Sequence, residues 1–266
     1  MTLRGLGTLW MAFCGLVLVA PIAVVSAAAL NGGRTMTFPP VDPTLARFAD
    51  FFLHEPVWVR ALTHSVVIAL GAALIATLIA WPVAYQLWRR ADGVSRALAG
   101  LAALPFALPP IVFGVGLGFL WTFGGGLGSV WAGILSHAML FAALPLTTIS
   151  IGLQAIDRAH LEAAATMGAS ERVAFRTIVL PQTLPYTMSG FLFALILSFN
   201  EFIVVFFVAA SSYATVTLQI FNSLRNGFTP TMAVAAILFI TVSLAVFAAV
   251  GRFGNLPRLM GADDVR

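Results

Sequence analysis

The sequence predicts an all-α polytopic membrane protein with six transmembrane helices and a cytoplasmic helical hairpin between the fourth and the fifth. Two observations support this fold class. Of the 266 residues, 60% are hydrophobic and only 9% are charged, whereas about a quarter of the residues of a soluble domain are charged. The apolar residues also form long runs without alternation, which excludes a membrane β-barrel.

The six predicted spans are apolar runs of membrane length. A spanning helix needs roughly 20 apolar residues, because backbone groups without a hydrogen-bonding partner are too costly in hydrocarbon. Within a single transmembrane domain of residues 1–266, we place the spans at about 9–30, 61–85, 99–121, 130–153, 188–210 and 231–251.

The first apolar run shares one feature with a secretory signal, the small residues that end Val25-Ser26-Ala27. The charged segment before it contains only Arg4, however, and the run is longer than the roughly 7–15 residues of a signal core. We therefore predict that this run is an uncleaved span.

The arginine positions predict the orientation in the membrane. All fourteen basic residues are arginine. With the amino terminus inside, ten of them lie in cytoplasmic segments and four in outer segments, in agreement with the positive-inside rule. We expect both termini to be cytoplasmic. We interpret the net charge of +4 as an orientation signal and predict no nucleic-acid partner. The outer arginines are Arg34, Arg47, Arg60 and Arg225.

The third predicted span begins with prolines and continues with glycines. Pro105, Pro109 and Pro110 lack backbone donors, which a membrane helix tolerates only where protein or water satisfies the freed carbonyls. Gly114 and Gly118 form a GxxxG pair, which lets two helices approach closely. The pattern fits both simple helix packing and a helix that moves along a transport pathway.

Residues 154–187, between the fourth and fifth spans, form the only extended polar segment that we predict to be helical. Asp157 is suited to cap a first helix that runs to Met167, and Gly168 is suited to the left-handed position after its end. The alanines of 163–165 would let a partner surface approach this helix closely.

A second helix is expected to begin after Ser170 and to run to about Val179. We expect Pro181, and again Pro185, to end it. The two helices would form a hairpin against the inner face of the membrane, where a soluble partner has access.

The hairpin contains a recognisable motif. Glu162-Ala163-Ala164 is followed after three residues by Gly168 and, nine residues later, by 178–181 with the sequence Ile-Val-Leu-Pro. This pattern, between the fourth and fifth of six spans, resembles the EAA loop of permease subunits in binding-protein-dependent ABC importers of the type I fold. The resemblance implies a coupling element formed by Glu162, Ala163, Ala164 and Gly168, with Leu180 and Pro181 at its exit.

The same resemblance implies the partners and the mechanism. A dimer of ABC ATPases would bind ATP and Mg²⁺, and a second permease, a homologous chain rather than a second copy, would complete the path. A periplasmic or lipoprotein solute-binding protein would deliver the solute to a multi-pass protein in the lipid of a bacterial inner membrane. Transport would proceed by alternating access. The alternative is an interfacial helix without a partner, which should carry Lys or Arg on one face and large apolar residues on the other.

Two stretches downstream resemble one branch of this family. Residues 198–204, Ser-Phe-Asn-Glu-Phe-Ile-Val, and residues 217–227 are similar to the second permease of spermidine/putrescine importers. Asn200 departs from that pattern, in which an acidic residue is frequent, and Met232-Ala233 replaces a commoner Asn-Ala. The resemblance implies a polyamine or a related organic cation as the solute. Amino-acid derivatives, phosphonates and metal chelates stay open.

The sequence predicts no catalytic site in this chain. A P-loop needs a lysine to reach the β and γ phosphates, and the chain contains none, so ATP and Mg²⁺ should bind to the partner ATPase and no cofactor to this chain. Neither metal-ligand spacing nor a serine-nucleophile motif is present. His64 and His137 lie in apolar runs and are interpreted as hydrogen-bonded packing residues.

Glu201 is the one carboxylate inside a predicted span. A charged group at that depth costs about 3 kcal/mol on insertion scales, so it should face the interior, a cavity or a partner. One hypothesis is that Glu201, with Asn200 and Ser198, lines the translocation path and favours a cation. The alternative is a structural hydrogen bond to a neighbouring helix.

Two other functional classes are weighed against a permease. An ion-gradient-driven secondary transporter should show repeated halves and several ionisable residues within its spans, whereas only Glu201 qualifies here. A membrane protease needs a paired nucleophile and base. Ser136 and His137 are the nearest approach, but adjacent residues on a helix do not face each other.

Overall fold

The computed structural model describes residues 3–33, 36–209, 211–225, 227 and 229–253, and their regular structure is entirely helical, which confirms the predicted fold class. A π-helical turn occupies Phe175–Val179. The described helices are α1 (Leu3–Ala28), α2 (Ala46–His54), α3 (Pro56–Arg89), α4 (Gly93–Ala107), α5 (Pro110–Phe123), α6 (Val130–Phe141), α7 (Ala143–Gln154), α8 (Arg158–Thr166), α9 (Glu171–Ala174), α10 (Leu180–Asn200), α11 (Ile203–Val208), α12 (Val216–Leu224) and α13 (Pro230–Phe253).

Four of the described helical segments are long and apolar enough to cross a membrane by themselves, and two bent helix pairs raise the number to six if each pair is one span. The single segments are Gly7–Ala28, Pro56–Arg89, Glu171–Asn200 and Pro230–Ala249. The bent pairs are α4 with α5 and α6 with α7.

Contacts divide the chain, which we predicted to be one domain, into two compact units. The first comprises Met1–Leu62 and Val216–Val242. Its core holds Phe51 and Trp58, whose ring centroids are 6.2 Å apart, together with small side chains from the ends of α1 and α13. The second unit, Thr63–Thr215 and Ser243–Arg266, contains the residues of both predicted sites.

The range 99–121, predicted as one span, is divided into α4 and α5, which are bent by 115°. The break lies at Leu108 and Pro109, whose ψ angles of 143° and 133° are those of extended backbone. Each of these residues precedes a proline, and the proline ring excludes the helical conformation from the residue before it. Pro110 then begins α5, where its missing N–H costs nothing.

The second helix of the predicted hairpin does not end at Pro181 or Pro185. Glu171–Asn200 is one continuous helical segment of 30 residues, and both prolines lie within it. The N–H of Leu180 bonds to the carbonyl of Phe175, five residues back, so the chain widens into a π turn directly before Pro181. The hydroxyl of Thr183 donates to the Val179 carbonyl at 2.8 Å. The predicted hairpin and fifth span therefore share one helix, and the part of 188–210 after Asn200 is not continuous with it.

The turn between α3 and α4 is held by Asp92, which lies outside the spans. Its carboxylate accepts hydrogen bonds from the Ser95 backbone N–H at 2.8 Å and from the Gln86 amide at 2.8 Å. These bonds stabilise the ionised form and lower the pKa of Asp92 to about 2.

Candidate functional site

The polar segment between the spans begins with a capped helix, α8. The side chain of Asp157 accepts a hydrogen bond from the Ala159 N–H at 2.9 Å, and Gly168 has a φ of +80°. After the last turn, the Gly168 N–H bonds to the Ala165 carbonyl and the Ala169 N–H to the Ala164 carbonyl, both at 2.9 Å. These two bonds form a Schellman motif, as Asp157 and Gly168 led us to expect.

Not all of the alanines 163–165, which we expected a partner surface to approach, lie on the exposed face of α8. Glu162, Ala163 and Ala165 are exposed, whereas Ala164 is 7% exposed and points into the protein. Met167 at the end of the helix is 82% exposed. A partner that contacts α8 would therefore meet Glu162, Ala163 and Met167, and Ala164 would act from the inner side.

An aromatic cluster and an ion pair hold the segment against the end of α3. The ring of Phe175 lies 5.8 Å from that of Trp81 and 5.2 Å from that of Tyr85, edge-on to both. The guanidinium of Arg89 donates to both oxygens of Glu171, at 3.0 and 2.7 Å. The Phe175 ring thus holds the π turn against α3, and the Arg89–Glu171 pair holds α9 against it.

Glu162 lies beside a shallow cleft between α3 and α8. The cleft has a volume of about 230 Å³ and is lined by Trp88, Arg89, Arg158, Leu161 and Glu162. One acidic and two basic groups at its rim give the surface a mixed charge, with an indole at its base. Leu180 and Pro181, predicted at the exit of the coupling element, lie within the continuous helix.

The second predicted site lies at the end of that helix, where α10 and α11 are interrupted. Glu201 is extended, with φ −74° and ψ 136°. Its carboxylate caps α11 by accepting backbone hydrogen bonds from Ile203 at 2.7 Å and from Val204 at 3.0 Å. Its side chain is 9% exposed. Asn200 turns back along α10 and donates its amide to the Ile196 carbonyl at 2.7 Å.

His137 on α6 joins Ser198 and Glu201. Its ring is fully buried, Nδ1 lies 2.7 Å from the Ser198 hydroxyl, and Nε2 lies 3.3 Å from Glu201 Oε2. The latter distance is that of an ion pair, although the alignment is not that of a hydrogen bond. Of the three residues predicted along the path, the structure therefore brings Ser198 and Glu201 together around this histidine and turns Asn200 away from it.

The sequence analysis interpreted His137 as a hydrogen-bonded packing residue, which agrees with its contact to Ser198, but it did not predict the pairing of His137 with Glu201. The available signal was that His137, like Glu201, is an ionisable side chain within a predicted span, and such groups pair with one another. Ser136 takes no part in the cluster through its hydroxyl, which accepts from the Trp121 indole at 2.8 Å. The adjacent serine and histidine thus have separate partners.

The glycines of α5 lie against α11. A Cβ on Gly114 would lie 2.9 Å from Phe207 Cδ2 and 3.4 Å from the Ile203 carbonyl, and one on Gly118 would lie 3.6 Å from Phe207. The GxxxG pair therefore packs one broken segment against the other. Within the described residues, no group of three His, Cys, Asp or Glu side chains is placed to hold a metal ion.

Broken helices at membrane depth around a buried carboxylate are typical of transport proteins, because irregular backbone there must be covered by protein or line a cavity. The comparisons with known proteins agree with this class. The chain belongs to the family of binding-protein-dependent transport system inner membrane components, whose sequence profile matches residues 90–256. It is thus a multi-span inner-membrane permease of the ABC importer type.

Several of the relatives are permeases named for polyamines. The spermidine/putrescine transport system permease protein PotC of Haemophilus influenzae is 34% identical over 190 residues, which are 71% of this chain and 73% of PotC. The putrescine transport system permease protein PotI of Escherichia coli K12 is 28% identical over 244 residues, 87% of this chain and 85% of PotI.

A solved structure shares the fold. A bacterial ABC transporter involved in the import of the acidic polysaccharide alginate superimposes with a TM-score of 0.66 at 16% identity, over 93% of this chain and 94% of that one. At this identity the match supports the permease fold and carries no information on the solute.

Proposed function

We propose that the chain forms one side of the translocation path of an ATP-driven importer for a polyamine or a related organic cation. The names of the PotC and PotI relatives support this solute class. Glu201 supplies the matching charge, because it is a carboxylate at an interrupted membrane helix, where binding sites of transporters lie. Ser198 and Asn200 flank it on α10.

The motor is a separate ATPase dimer, which carries ATP and Mg²⁺. A chain without lysine cannot form the phosphate-binding loop that ATP hydrolysis requires. A solute-binding protein, periplasmic or lipid-anchored, delivers the cation, and a second, homologous permease completes the path. The arginine distribution supports cytoplasmic termini in a bacterial inner membrane. Residues 154–187 then face the cytoplasm, where the ATPase contacts Glu162, Ala163 and Gly168.

The observation that carries this proposal is the continuous helix from Glu171 to Asn200. At 1.5 Å per residue its 30 residues extend over about 45 Å. One end follows α8 in the chain and packs on α3 through Phe175, and the other ends at Glu201. Closure of the ATPase dimer against α8 therefore displaces a continuous helix that ends at the carboxylate, and this connection supports alternating access.

The charge of Glu201 is tested by Glu201→Gln in the reconstituted importer. Glutamine keeps an oxygen that can cap α11 but removes the negative charge, so uptake of spermidine should fall at least tenfold while the complex still assembles and hydrolyses ATP. Asn200→Ala is the matched control, because the Asn200 amide donates to the Ile196 carbonyl of its own helix, and uptake by this variant should fall less than threefold. Unchanged spermidine uptake in Glu201→Gln would refute the role of the carboxylate.

A further inference from the structure

His137 is placed to control the charge that a cationic solute meets at Glu201. Its ring is 0% exposed, and its two nitrogens lie against Ser198 of α10 and Glu201 at the end of that helix. Burial of an ionisable ring between a hydroxyl and a carboxylate is costly without a compensating interaction. An apolar side chain would fill the space of His137 without this cost, so the imidazole itself requires an explanation.

The contacts of Glu201 and His137 fit both a neutral and a protonated ring. Glu201 accepts from the backbone of Ile203, Val204 and Val205, and a carboxylate that accepts this many bonds is ionised. Nε2 of His137 lies 3.3 Å from this carboxylate, at the distance of an ion pair. Nδ1 faces Ser198, whose hydroxyl both donates and accepts. The hydroxyl can donate to Nδ1 of a neutral ring or accept from Nδ1 of a charged one, so the ring can gain a proton without losing its partners.

The ionisable groups around α6 leave Glu201 as the charge that faces the ring. The helices α5, α7 and α11 contain no ionisable side chain. On α4, Arg96 donates to the Ala91 carbonyl, and on α10, Tyr186 lies against Gly152. The remaining groups near α6 are Tyr213, whose hydroxyl lies against Gly133, and His64 on α3, whose ring centroid is 5.5 Å from that of Tyr213. Neither contacts His137 in the described hydrogen bonds and ring pairs.

We propose that His137 is a positioning residue that sets the net charge of the Glu201 site, and thereby its affinity for a cationic solute. This inference rests on the proposed function. With a neutral ring, the pair carries one negative charge and attracts a cation. With a protonated ring, the imidazolium neutralises the carboxylate and takes the position of the counter-ion, so a polyamine has to displace it. Imidazole is the side chain whose charge changes near neutral pH.

The test measures ATP-driven spermidine uptake at limiting concentration. The complete importer, with second permease, ATPase and binding protein, is reconstituted in vesicles with equal pH on both sides. Spermidine stays charged throughout, because alkyl amines titrate at about pH 10. Wild-type uptake should fall about fivefold or more between about pH 8 and about pH 5.5, whereas uptake by His137→Gln should change less than twofold. His64→Gln is the matched control and should keep the wild-type profile.

Ser198→Ala provides a second, independent variant. Without the Ser198 hydroxyl, Nδ1–H of the charged ring has no acceptor, which costs more than the hydrogen bond that the neutral ring loses. The midpoint of the pH profile should therefore move down by roughly half to one unit. A purely structural role would lower uptake equally at every pH.

The inference is overturned if His137→Gln keeps the wild-type pH profile, if wild-type uptake does not depend on pH, or, where His137→Gln fails to assemble, if Ser198→Ala leaves the midpoint in place. Loss of the proposed function looks different, since the wild-type importer would then transport no spermidine at any pH. That result would remove both proposals, whereas pH-independent uptake removes only this one.

Discussion

Replacement of Gly168 by alanine should loosen the carboxyl end of α8 through the backbone alone. Gly168 has a φ of +80°, and a Cβ at this position would have no atom within 4 Å. The substitution therefore causes no clash, and its cost is the left-handed conformation, about 1–2 kcal/mol for an alanine. Asparagine occupies this conformation more readily, so Gly168→Asn is the matched control.

The magnitude is measured by hydrogen exchange of the assembled importer. The amides of residues 168 and 169 are bonded to Ala165 and Ala164 at 2.9 Å, and both bonds depend on the left-handed turn. A cost of about 1–2 kcal/mol in local opening reduces their protection roughly 5- to 30-fold. Spermidine uptake per ATP hydrolysed should fall in Gly168→Ala, whereas Gly168→Asn should stay within about threefold of wild type.

Equal protection in Gly168→Ala and wild type would show that the turn does not hold the end of α8. Reduced protection with unchanged coupling would show that the order of α8 is not needed for transport, which would refute the proposed contact with the ATPase.

Three further outcomes are expected. Gly190→Ala places a Cβ 2.6 Å from the Pro145 Cα of α7, so it should destabilise the protein by about 1–3 kcal/mol in thermal unfolding. Gly116→Ala, whose Cβ has nothing within 4 Å, should not destabilise it, and equal unfolding temperatures for the two variants would contradict the packing of α7 on α10. The Arg89–Glu171 pair is exposed, 38% and 78%, so either alanine variant should keep uptake within about twofold of wild type, and a tenfold loss would show that the pair does more than position α9. Hydrogen bonds lower the pKa of Asp92, so the stability that its carboxylate contributes is fully present above its ordinary pKa of about 4 and is lost as pH falls through about 2. Asp92→Ala should therefore lower the unfolding temperature equally at about pH 5 and pH 8, and a different loss at the two pH values would contradict this assignment.

The local signals of the polar segment were readable from the sequence because they act over a few residues. Asp157 and Gly168 satisfy backbone groups of the same helix, so their residue types alone predict the cap and the left-handed turn. The burial of Ala164 was not predicted, because the alanine run 163–165 was interpreted as one accessible surface.

The prolines were harder to interpret, since the same residue type ended one helix and continued another. At Leu108 two consecutive prolines force extended backbone on both preceding residues, and α4 ends. At Pro181 a π turn precedes the ring, and the helix continues. The outcome depends on hydrogen bonds and packing that a residue type does not encode.

The site at Glu201 was found by composition, and its partner was not. A lone carboxylate in a predicted span is conspicuous because its burial is costly. Its pairing with His137 joins two helices that are distant in sequence, and the hydrophobic patterns of α6 and α10 do not fix which faces meet. Only the three-dimensional arrangement shows that the carboxylate caps α11 at the same time.

The most direct measurement is solute uptake in sealed vesicles that contain the permeases with or without the ATPase. If the chain is the path of an ATP-driven importer, uphill spermidine uptake requires the ATPase, ATP and Mg²⁺, and it continues when ionophores dissipate the ion gradients. Uphill uptake by vesicles that lack the ATPase, abolished by the same ionophores, would instead identify an ion-driven transporter, and the proposed roles of α8 and the helix from Glu171 to Asn200 would be wrong.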